Sequence, residues 1–369
     1  MREICHLDAK LFEFLHSPPV LYDAQEIHTV VDHPRLEQAT LIVFARTLSL
    51  AASLTVVATT AASAQAPAAS TFSVPAWAFP NIAPELVAKA PFDSVVAIRV
   101  PRSSRTYTLA QVKNQFGPPD WHPSTHPKAP DVVALGRKPA GWACGYCHLL
   151  DGQGRSENAT LAGLPVEYFT QQMVDIRSGA RHSALKGWGP SQNMTNTVRD
   201  ITDDEIATAA RYFASMKAKP RYTVVERIQV PRTDEAGGLY APKTDGTTEP
   251  LGARIIEVTT DLRRHEMRDA AETFISYVPR GSIARGRKIA SSATTPTTSC
   301  VTCHGPALRG IGVVPPLAGR SPLYMLRQLV GFRTGARAGS TSAPMQAVVA
   351  QLEIDDMVAV AAYAGSLKP

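Results

Sequence analysis

The chain has 369 residues, of which 44% are hydrophobic and 19% are charged, an ordinary globular composition long enough for about two domains. It carries 38 Lys and Arg against 32 Asp and Glu, so its formal net charge is +6. No run approaches the roughly 20 apolar residues that a membrane-spanning helix needs, so no transmembrane segment is predicted.

The first predicted element is an export signal. Arg46 precedes the apolar residues 48–64, which end in Ala-Ser-Ala. A positive flank, a short apolar core and a small-x-small ending are typical of a secretory signal. We therefore expect residues 1–64 to be removed by cleavage near Ala64 and the mature protein to be periplasmic. Residues 1–40 are too acidic for a signal, and we interpret them as lying before the true translation start.

Removal of this leader changes the charge. The leader takes 4 of the 38 basic and 7 of the 32 acidic residues, which leaves 34 against 25 and a net charge of about +9. A positive surface speeds encounter with acidic protein partners. Nucleic acid is the usual alternative for a basic protein, but an exported protein rarely meets it, so no nucleic-acid partner is predicted.

All four cysteines that remain lie in two copies of one pattern, C-x-x-C-H. This is the haem-attachment signature, in which both thiols on one turn bind the vinyl groups of a haem and the adjacent His is the proximal iron ligand. The sequence therefore predicts two covalently bound haem c groups. The residues concerned are Cys144, Cys147 and His148 in the first copy and Cys300, Cys303 and His304 in the second.

Three other interpretations of the cysteines compete. A four-thiolate zinc site would leave both histidines unexplained. Two disulfides suit an exported chain, but a two-residue loop between cysteines is a strained redox arrangement. A thioredoxin-like site needs one CxxC on a βαβ unit rather than two in matching contexts.

An internal repeat accompanies the two motifs. Residues 161–181 align without a gap against residues 317–337, and both blocks begin 17 residues after the first cysteine of their motif. Helical spacing recurs within both blocks, and a glycine follows each. Tandem duplication of an all-helical module explains the pattern. The coinciding pairs are Tyr168/Tyr324, Gln172/Gln328, Val174/Val330, Arg177/Arg333, Gly179/Gly335 and Arg181/Arg337.

Further elements complete the predicted order. A capping box at Thr202 begins a last amphipathic helix in the first half, and Ile354 begins the matching helix in the second. Three strand-like runs at 222–230, 255–258 and 274–278 indicate a small hairpin insert. The predicted boundaries are the leader 1–64, a Pro-rich irregular arm 65–135 that wraps the first module, a first haem domain 136–219, the insert 220–280 and a second haem domain 281–369.

The repeat also selects the sixth iron ligand. Only Met194 and Met345 correspond between the halves, each 18 residues before the tyrosine of the last helix and each in a loop-like segment. A Met ligand raises the reduction potential of a haem. The other methionines, Met173, Met216, Met325 and Met357, align with apolar residues, as core packing permits.

Four histidines are weaker ligand candidates. His182 is the rival to Met194, but its counterpart is Ala338. His122, His126 and His265 fit better as loop and packing residues. The metal ligands predicted are therefore His148, Met194, His304 and Met345.

With these motifs, each half resembles a class I cytochrome c, and the tandem resembles the di-haem cytochrome c4-type proteins of bacterial periplasms. The resemblance implies a mainly α fold of two tandem class I cytochrome c haem domains, with an irregular N-terminal arm and a small β-containing insert between the domains. It also implies that each proximal His donates its other ring N–H to a backbone carbonyl, that of Pro315 or Pro316 for His304.

Two axial ligands per iron leave no open position for a substrate, so the predicted role is electron transfer rather than catalysis. We expect single electrons to pass from a donor dehydrogenase or quinol-linked complex to a downstream acceptor, with redox partners that present acidic docking surfaces. The alternative is a di-haem redox enzyme such as a peroxidase, which needs one haem able to lose its sixth ligand; a redox or gas sensor is less well supported because no output domain is visible.

Overall fold

The computed structural model describes residues 72–81, 95–236, 238–292 and 299–369. The predicted leader and its signal, residues 1–64, lie outside the described residues, as do 65–71 and 82–94 of the arm. Within the described ranges, no helix combines the length and hydrophobicity needed to cross a membrane.

Helices build both halves of the chain, and the fold is mainly α as predicted. In chain order they are α1 (Leu109–Val112), α2 (Asp131–Ala134), α3 (Cys144–His148), α4 (Val166–Arg177), α5 (Gly189–Asp200), α6 (Asp203–Ala214), α7 (Leu262–Glu266), α8 (Ser282–Ser291), α9 (Cys300–His304), α10 (Pro322–Arg333), α11 (Ala343–Val349) and α12 (Ile354–Ser366). Short 3-10 turns occur at Ala76–Ala78, Pro123–Thr125 and Pro306–Leu308.

The strands lie in the arm and in the insert. They are β1 (Ala97–Ile98), β2 (Tyr107–Thr108), β3 (Tyr222–Glu226), β4 (Gln229–Pro231), β5 (Thr233–Ala236), β6 (Leu239–Pro242), β7 (Thr248–Pro250), β8 (Ile256–Thr259) and β9 (Phe274–Val278). β1 pairs with β2 and β4 with β7, while the other five form one sheet in the order β3-β9-β8-β6-β5.

The first haem module packs α4, α5 and α6 around an apolar core. Thr202 accepts from the backbone of Glu205, whose side chain accepts in return, so the predicted capping box is confirmed. The apolar face of α6 turns inward, and Phe213 stacks on Phe169 of α4 with 6.1 Å between ring centroids. This contact fixes the last helix of the module across α4.

The second haem module repeats the plan with a closer helix crossing. The helix α8 opens this module and lies against α12. A Cβ atom at Gly286 would collide with the backbone of Ala359, so this crossing requires glycine. Leu323, Leu326 and Met357 are fully buried in the core that the helices enclose.

The insert is a mixed sheet rather than the predicted hairpin. β3 runs parallel to β9 with Tyr222 opposite Phe274, and β9 runs antiparallel to β8 with Ile256 opposite Tyr277. A hairpin joins only neighbouring antiparallel strands, whereas β3 pairs with the most distant strand of the insert. The run at 274–278 is a strand as predicted, but the run at 222–230 is divided between β3 and β4.

The described part of the arm contacts both the insert and the first module. The Trp121 indole N–H donates to the backbone oxygen of Met267 over 2.7 Å, and His122 bonds Asp269 of the insert over 2.8 Å. His126 reaches the Tyr212 hydroxyl on α6, with 3.1 Å between Nδ1 and the oxygen. The arm therefore contacts the insert as well as the first module, and Arg327 of the second module donates to the backbone oxygen of Ala78 in the arm over 3.1 Å.

Candidate functional site

The first C-x-x-C-H sequence forms the short helix α3, which places its two thiols and His148 on adjacent turns. The His148 side chain is buried, and its Nδ1–H donates to the backbone oxygen of Ala159 over 2.8 Å. This hydrogen bond fixes the tautomer and leaves Nε2 with its lone pair available for a metal. Burial lowers the pKa of His148, which also favours the neutral imidazole that a metal requires.

The second C-x-x-C-H sequence, α9, has the same arrangement. His304 is buried, and its Nδ1–H donates to the backbone oxygen of Pro315 over 2.8 Å, as the resemblance predicts. Burial again lowers the pKa of this imidazole. Ala159 and Pro315 occupy the same place in the repeat, so the same kind of hydrogen bond orients both histidines.

The four cysteines of the described residues form no disulfide with one another. Burial raises the pKa of Cys144 to about 12 and also raises that of Cys147 and Cys300. Within the described ranges, no three His, Cys, Asp or Glu side chains converge into a metal-binding group. The four thiols are therefore not gathered as the zinc interpretation requires.

The two predicted distal ligands lie on helices, not in the loop-like segments expected. Met194 is in α5 and, like Cys144, packs against the core of the first module. Met345 is in α11 and, like Cys300, packs against the core of the second module. Pro190 and Pro344 each stand in the first turn of their helix, where proline is tolerated.

The other sulfur and imidazole candidates have different surroundings. Met173, Met325 and Met357 are buried in the two cores. His182 is exposed, and its Nδ1 bonds the backbone of Ser183. His122 and His265 are held by the carboxylates of Asp269 and Glu272, and His126 by that of Asp120.

A pseudo-symmetric contact between the modules was missed by the sequence reasoning. Arg181 and Arg337 face each other in an antiparallel bridge, in which His182 N donates to Ala336 O and Ala338 N donates to Ala180 O. Both arginines follow the glycine of the repeated block. The feature of the sequence that pointed to this contact was the recurrence of the block without a gap, because two copies of one surface can pack against each other.

The side chains of this contact cross between the modules in both directions. Arg181 donates to Gln172 of its own module and to the Tyr324 hydroxyl and Gln328 of the other, each over 2.9 or 3.0 Å. Arg337 donates to Gln172 over 2.7 Å and to the Tyr168 hydroxyl over 3.3 Å. Burial alone would raise the pKa of Tyr168, but Arg337 and Arg181 together lower it.

The buried arginines at this contact donate to uncharged side chains and backbone oxygens, so none of them is paired with a carboxylate of the described residues. Arg320, also buried, donates to the backbone oxygens of Thr160 and Ala162, and burial lowers its pKa to about 10. The Nε atoms of Arg320 and Arg337 have no hydrogen-bond partner among the described residues. Buried guanidinium groups are normally paired with anions. The site therefore fits a group that brings carboxylates, as the propionates of a haem would.

The insert is held to the first module by a buried charge network. The Arg155 guanidinium donates to His265, pairs with Glu157 over 3.1 Å, and lies on the turn that follows His148. His265 donates from Nδ1 to Glu272 over 2.7 Å. Burial and then the charge of Arg155 lower the pKa of His265 well below its ordinary value. The neutral imidazole thus accepts from Arg155 and donates to Glu272.

Comparison with known proteins gives the family. The cytochrome c family model matches residues 283–368. Cytochrome c-554(547) of Halothiobacillus neapolitanus is 34% identical over 87 residues, which cover 96% of that protein and 21% of this chain. Cytochrome c4 of Azotobacter vinelandii is 27% identical over 225 residues, or 82% of its length and 60% of this chain. The chain belongs to the di-haem cytochrome c4 type of c-type cytochrome.

Two further matches extend the comparison of this cytochrome. A thiosulfate dehydrogenase electron acceptor of Stutzerimonas stutzeri (strain A1501) is 27% identical over 231 residues, 80% of its length and 62% of this chain. The crystal structure of reduced cytochrome c4 from Pseudomonas stutzeri aligns with a TM-score of 0.40 at 23% identity, covering 61% of this chain and 93% of that one. The predicted fold of two tandem class I cytochrome c domains agrees with the sequence relatives and the family model, and covalent haem c follows from the family.

Proposed function

We propose that this cytochrome is an exported, periplasmic carrier with two haem c groups, which passes single electrons from a donor dehydrogenase or quinol-linked complex to a downstream acceptor. The observation that carries the proposal is the pair of buried histidines whose Nδ1–H is fixed on a carbonyl at the same place in each repeat. Relatives named as electron acceptors of thiosulfate dehydrogenase support a dehydrogenase as the donor.

The proposed attachment assigns one haem to each module. Cys144 and Cys147 form the thioethers of the first haem, with His148 and Met194 as iron ligands. Cys300 and Cys303 form those of the second, with His304 and Met345 as iron ligands. Each haem supplies an iron that cycles between the ferrous and ferric states.

The residues of the protein then orient the iron ligands, supply charge near the haems and exclude water from them. The carbonyls of Ala159 and Pro315 hold the two imidazoles and increase their electron donation to iron. Buried guanidinium groups at the contact between modules favour the added electron, because they stabilise the more negative redox state. The module contact also keeps the two haems at a fixed separation, which permits passage of an electron from one module to the other.

The test is the absorption spectrum of the purified holoprotein, reduced and oxidised, with carbon monoxide or cyanide added. Two Met-ligated irons predict low-spin spectra that neither ligand changes. Rapid carbon monoxide binding at one haem would instead indicate an open position, as a peroxidase or a gas sensor requires, and would contradict the carrier.

A further inference from the structure

Both proximal histidines donate to a backbone oxygen, but the turns that carry the two acceptors differ in sequence. We call residues 149–162 the first turn and residues 305–318 the second turn. The acceptor in the second turn is Pro315, which another proline follows, whereas the acceptor in the first turn is Ala159, which a threonine follows. A proline ring fixes its own φ and restricts the residue before it. The second turn is therefore stiffened by its own sequence, and the first turn is not.

Two buried arginines of the second module reach the first turn. Arg320 donates to the backbone oxygen of Thr160, the residue that follows the acceptor, and Arg327 donates to that of Ser156 over 2.5 Å. Arg320 also donates to the backbone oxygen of Ala162 over 3.2 Å. The repeat places a leucine and a glutamine at the corresponding positions of the first module, which therefore has no matching arginines with which to reach the second turn.

A third arginine supports the first turn from the insert. Arg221, which is also buried, donates to the backbone oxygen of Gly154 over 2.5 Å. Gly154 touches the acceptor itself, because a Cβ atom built on it would collide with the backbone oxygen of Ala159. The backbone that Arg221 holds is therefore packed directly against the carbonyl that orients His148.

The second turn has different surroundings. Within the described ranges, His304 is the only residue whose side chain donates to a backbone oxygen of the second turn. The turn is closed by its own backbone, in which the N–H groups of Ile311 and Val314 each donate to the oxygen of the other. The same imidazole hydrogen bond is thus supported by prolines in the second module and by arginines from outside the turn in the first.

The three arginines differ in the negative charge that faces them. The Arg221 guanidinium lies 3.8 Å from the Glu272 carboxylate. Burial lowers the pKa of Arg327, and the charge of Glu257 opposes that shift. Burial also lowers the pKa of Arg320, but there only tyrosines oppose it. Arg320 therefore places on the first turn a positive charge that no carboxylate of the described residues balances.

We propose that Arg320 tunes the first haem from the second module: it holds the turn that positions His148, and its charge raises the reduction potential of that haem. The repeat places a leucine at the matching position for the second haem, so two haems with the same pair of axial ligands become inequivalent. The inference rests on the proposed function, which it deepens by naming a residue that sets where the transferred electron resides. The transfer moves one electron to or from iron, and no bond to Arg320 forms or breaks.

The direction of the shift depends on which carbonyls the guanidinium binds. The hydrogen bond of His148 uses the carbonyl of Ala159, which stays packed against Gly154 when Arg320 is replaced. Arg320 itself binds the two oxygens farther along the turn. Loss of its charge is therefore the main effect of replacement. A buried positive charge favours ferrous over ferric haem, because the ferrous form is more negative by one charge.

The experiment is a redox titration of the exported holoprotein, followed by absorbance. Arg320→Gln removes the charge but keeps a side-chain donor, and Arg320→Lys keeps the charge. Arg285→Gln is the control, because it removes a positive charge of the second module that is 53% exposed and paired with Asp356. Each variant is measured with and without Met345→His, which lowers the potential of the second haem and so assigns the higher step to the first. Arg320→Met supplies the same loss of charge should Arg320→Gln not take up haem.

We expect the ratio of reduced to oxidised first haem at a fixed potential to fall about tenfold in Arg320→Gln, a shift of about 59 mV for one electron. In Arg320→Lys and Arg285→Gln the ratio should change by under about threefold, because the charge is retained in one and screened by solvent in the other. An unchanged or increased ratio in Arg320→Gln would overturn the proposal, and so would an equal fall at the second haem, in Arg320→Lys or in Arg285→Gln. A wild type in which only one haem can be reduced would contradict the proposed function instead, whatever the Arg320 variants show.

Discussion

Arg181 and Arg337 lie opposite each other across the two haem modules, and each guanidinium donates to the glutamine of the other module. Through this pair, the repeated block of the first module packs against the repeated block of the second. Its neutral hydrogen-bond partners leave buried positive charge for the carboxylates that haem would bring.

Replacement of Arg337 tests this contact. Arg337→Met removes the guanidinium donor of the Tyr168 hydroxyl and one of the two donors of the Gln172 amide oxygen, which keeps Arg181, and we expect a cost of about 2 kcal/mol of unfolding free energy. Chemical denaturation of the holoprotein measures the loss. Arg285→Met, which removes a half-exposed pair with Asp356, is the control and should cost under about 1 kcal/mol. Equal losses of unfolding free energy in the two variants would show that the contact between the modules does not stabilise the protein.

Replacement of Met345 tests the distal ligand. Met345→His lowers the potential of one haem by on the order of 0.2 V, because His stabilises ferric iron more than Met does, and leaves the other nearly unchanged. Redox titration followed by absorbance measures both potentials. Met325→Leu, a change of a buried core methionine, should shift neither. Equal shifts at both haems, or none, would count against the assignment.

The charge network beneath the insert predicts a large difference between two glutamates. Glu272→Ala removes the partner of buried His265 and Arg221, so the unfolding free energy falls by about 3 kcal/mol. Glu249→Ala breaks a partly exposed pair with Arg254 and should cost under about 1 kcal/mol. Thermal unfolding of both variants checks the order, and the reverse order would contradict the network.

The arm carries a pH-dependent contact at His126. Nδ1 lies 2.8 Å from the oxygen of Pro127 and Nε2 lies 3.2 Å from Asp120, so both nitrogens donate in the charged form. The Asp120 hydrogen bond raises the pKa of His126 above its ordinary 6.5, although burial opposes it.

A raised pKa stabilises the fold fully below the unfolded value of 6.5, and this contribution is lost as pH rises through the folded value. Asp120→Asn should therefore destabilise the protein most under mildly acidic conditions and least under alkaline ones. Unfolding titrations at several pH values measure the difference between wild type and variant. A difference that grows with pH would refute the protonated pair.

The sequence predicted the elements that depend on local patterns of residues. The spacing of the repeated block predicted α4 and α10, the Thr202 capping box predicted α6, and the run at 274–278 predicted β9. The position of Pro315 relative to His304 was also found, because the resemblance carried it.

Features that depend on distant contacts were not predicted. Met194 and Met345 were predicted to lie in loop-like segments, whereas both lie in helices that have a proline in the first turn. The insert was interpreted as a hairpin, because nothing in the sequence of residues 222–226 indicates that they pair with the distant strand β9.

Haem content per polypeptide tests the central claim most directly. The chain is exported with haem maturation, purified, and assayed by the alkaline pyridine haemochrome together with its denatured intact mass. The account predicts two covalently attached haems, with Cys144→Ser/Cys147→Ser and Cys300→Ser/Cys303→Ser each retaining one. A colourless protein, or a single haem in the wild type, would contradict it.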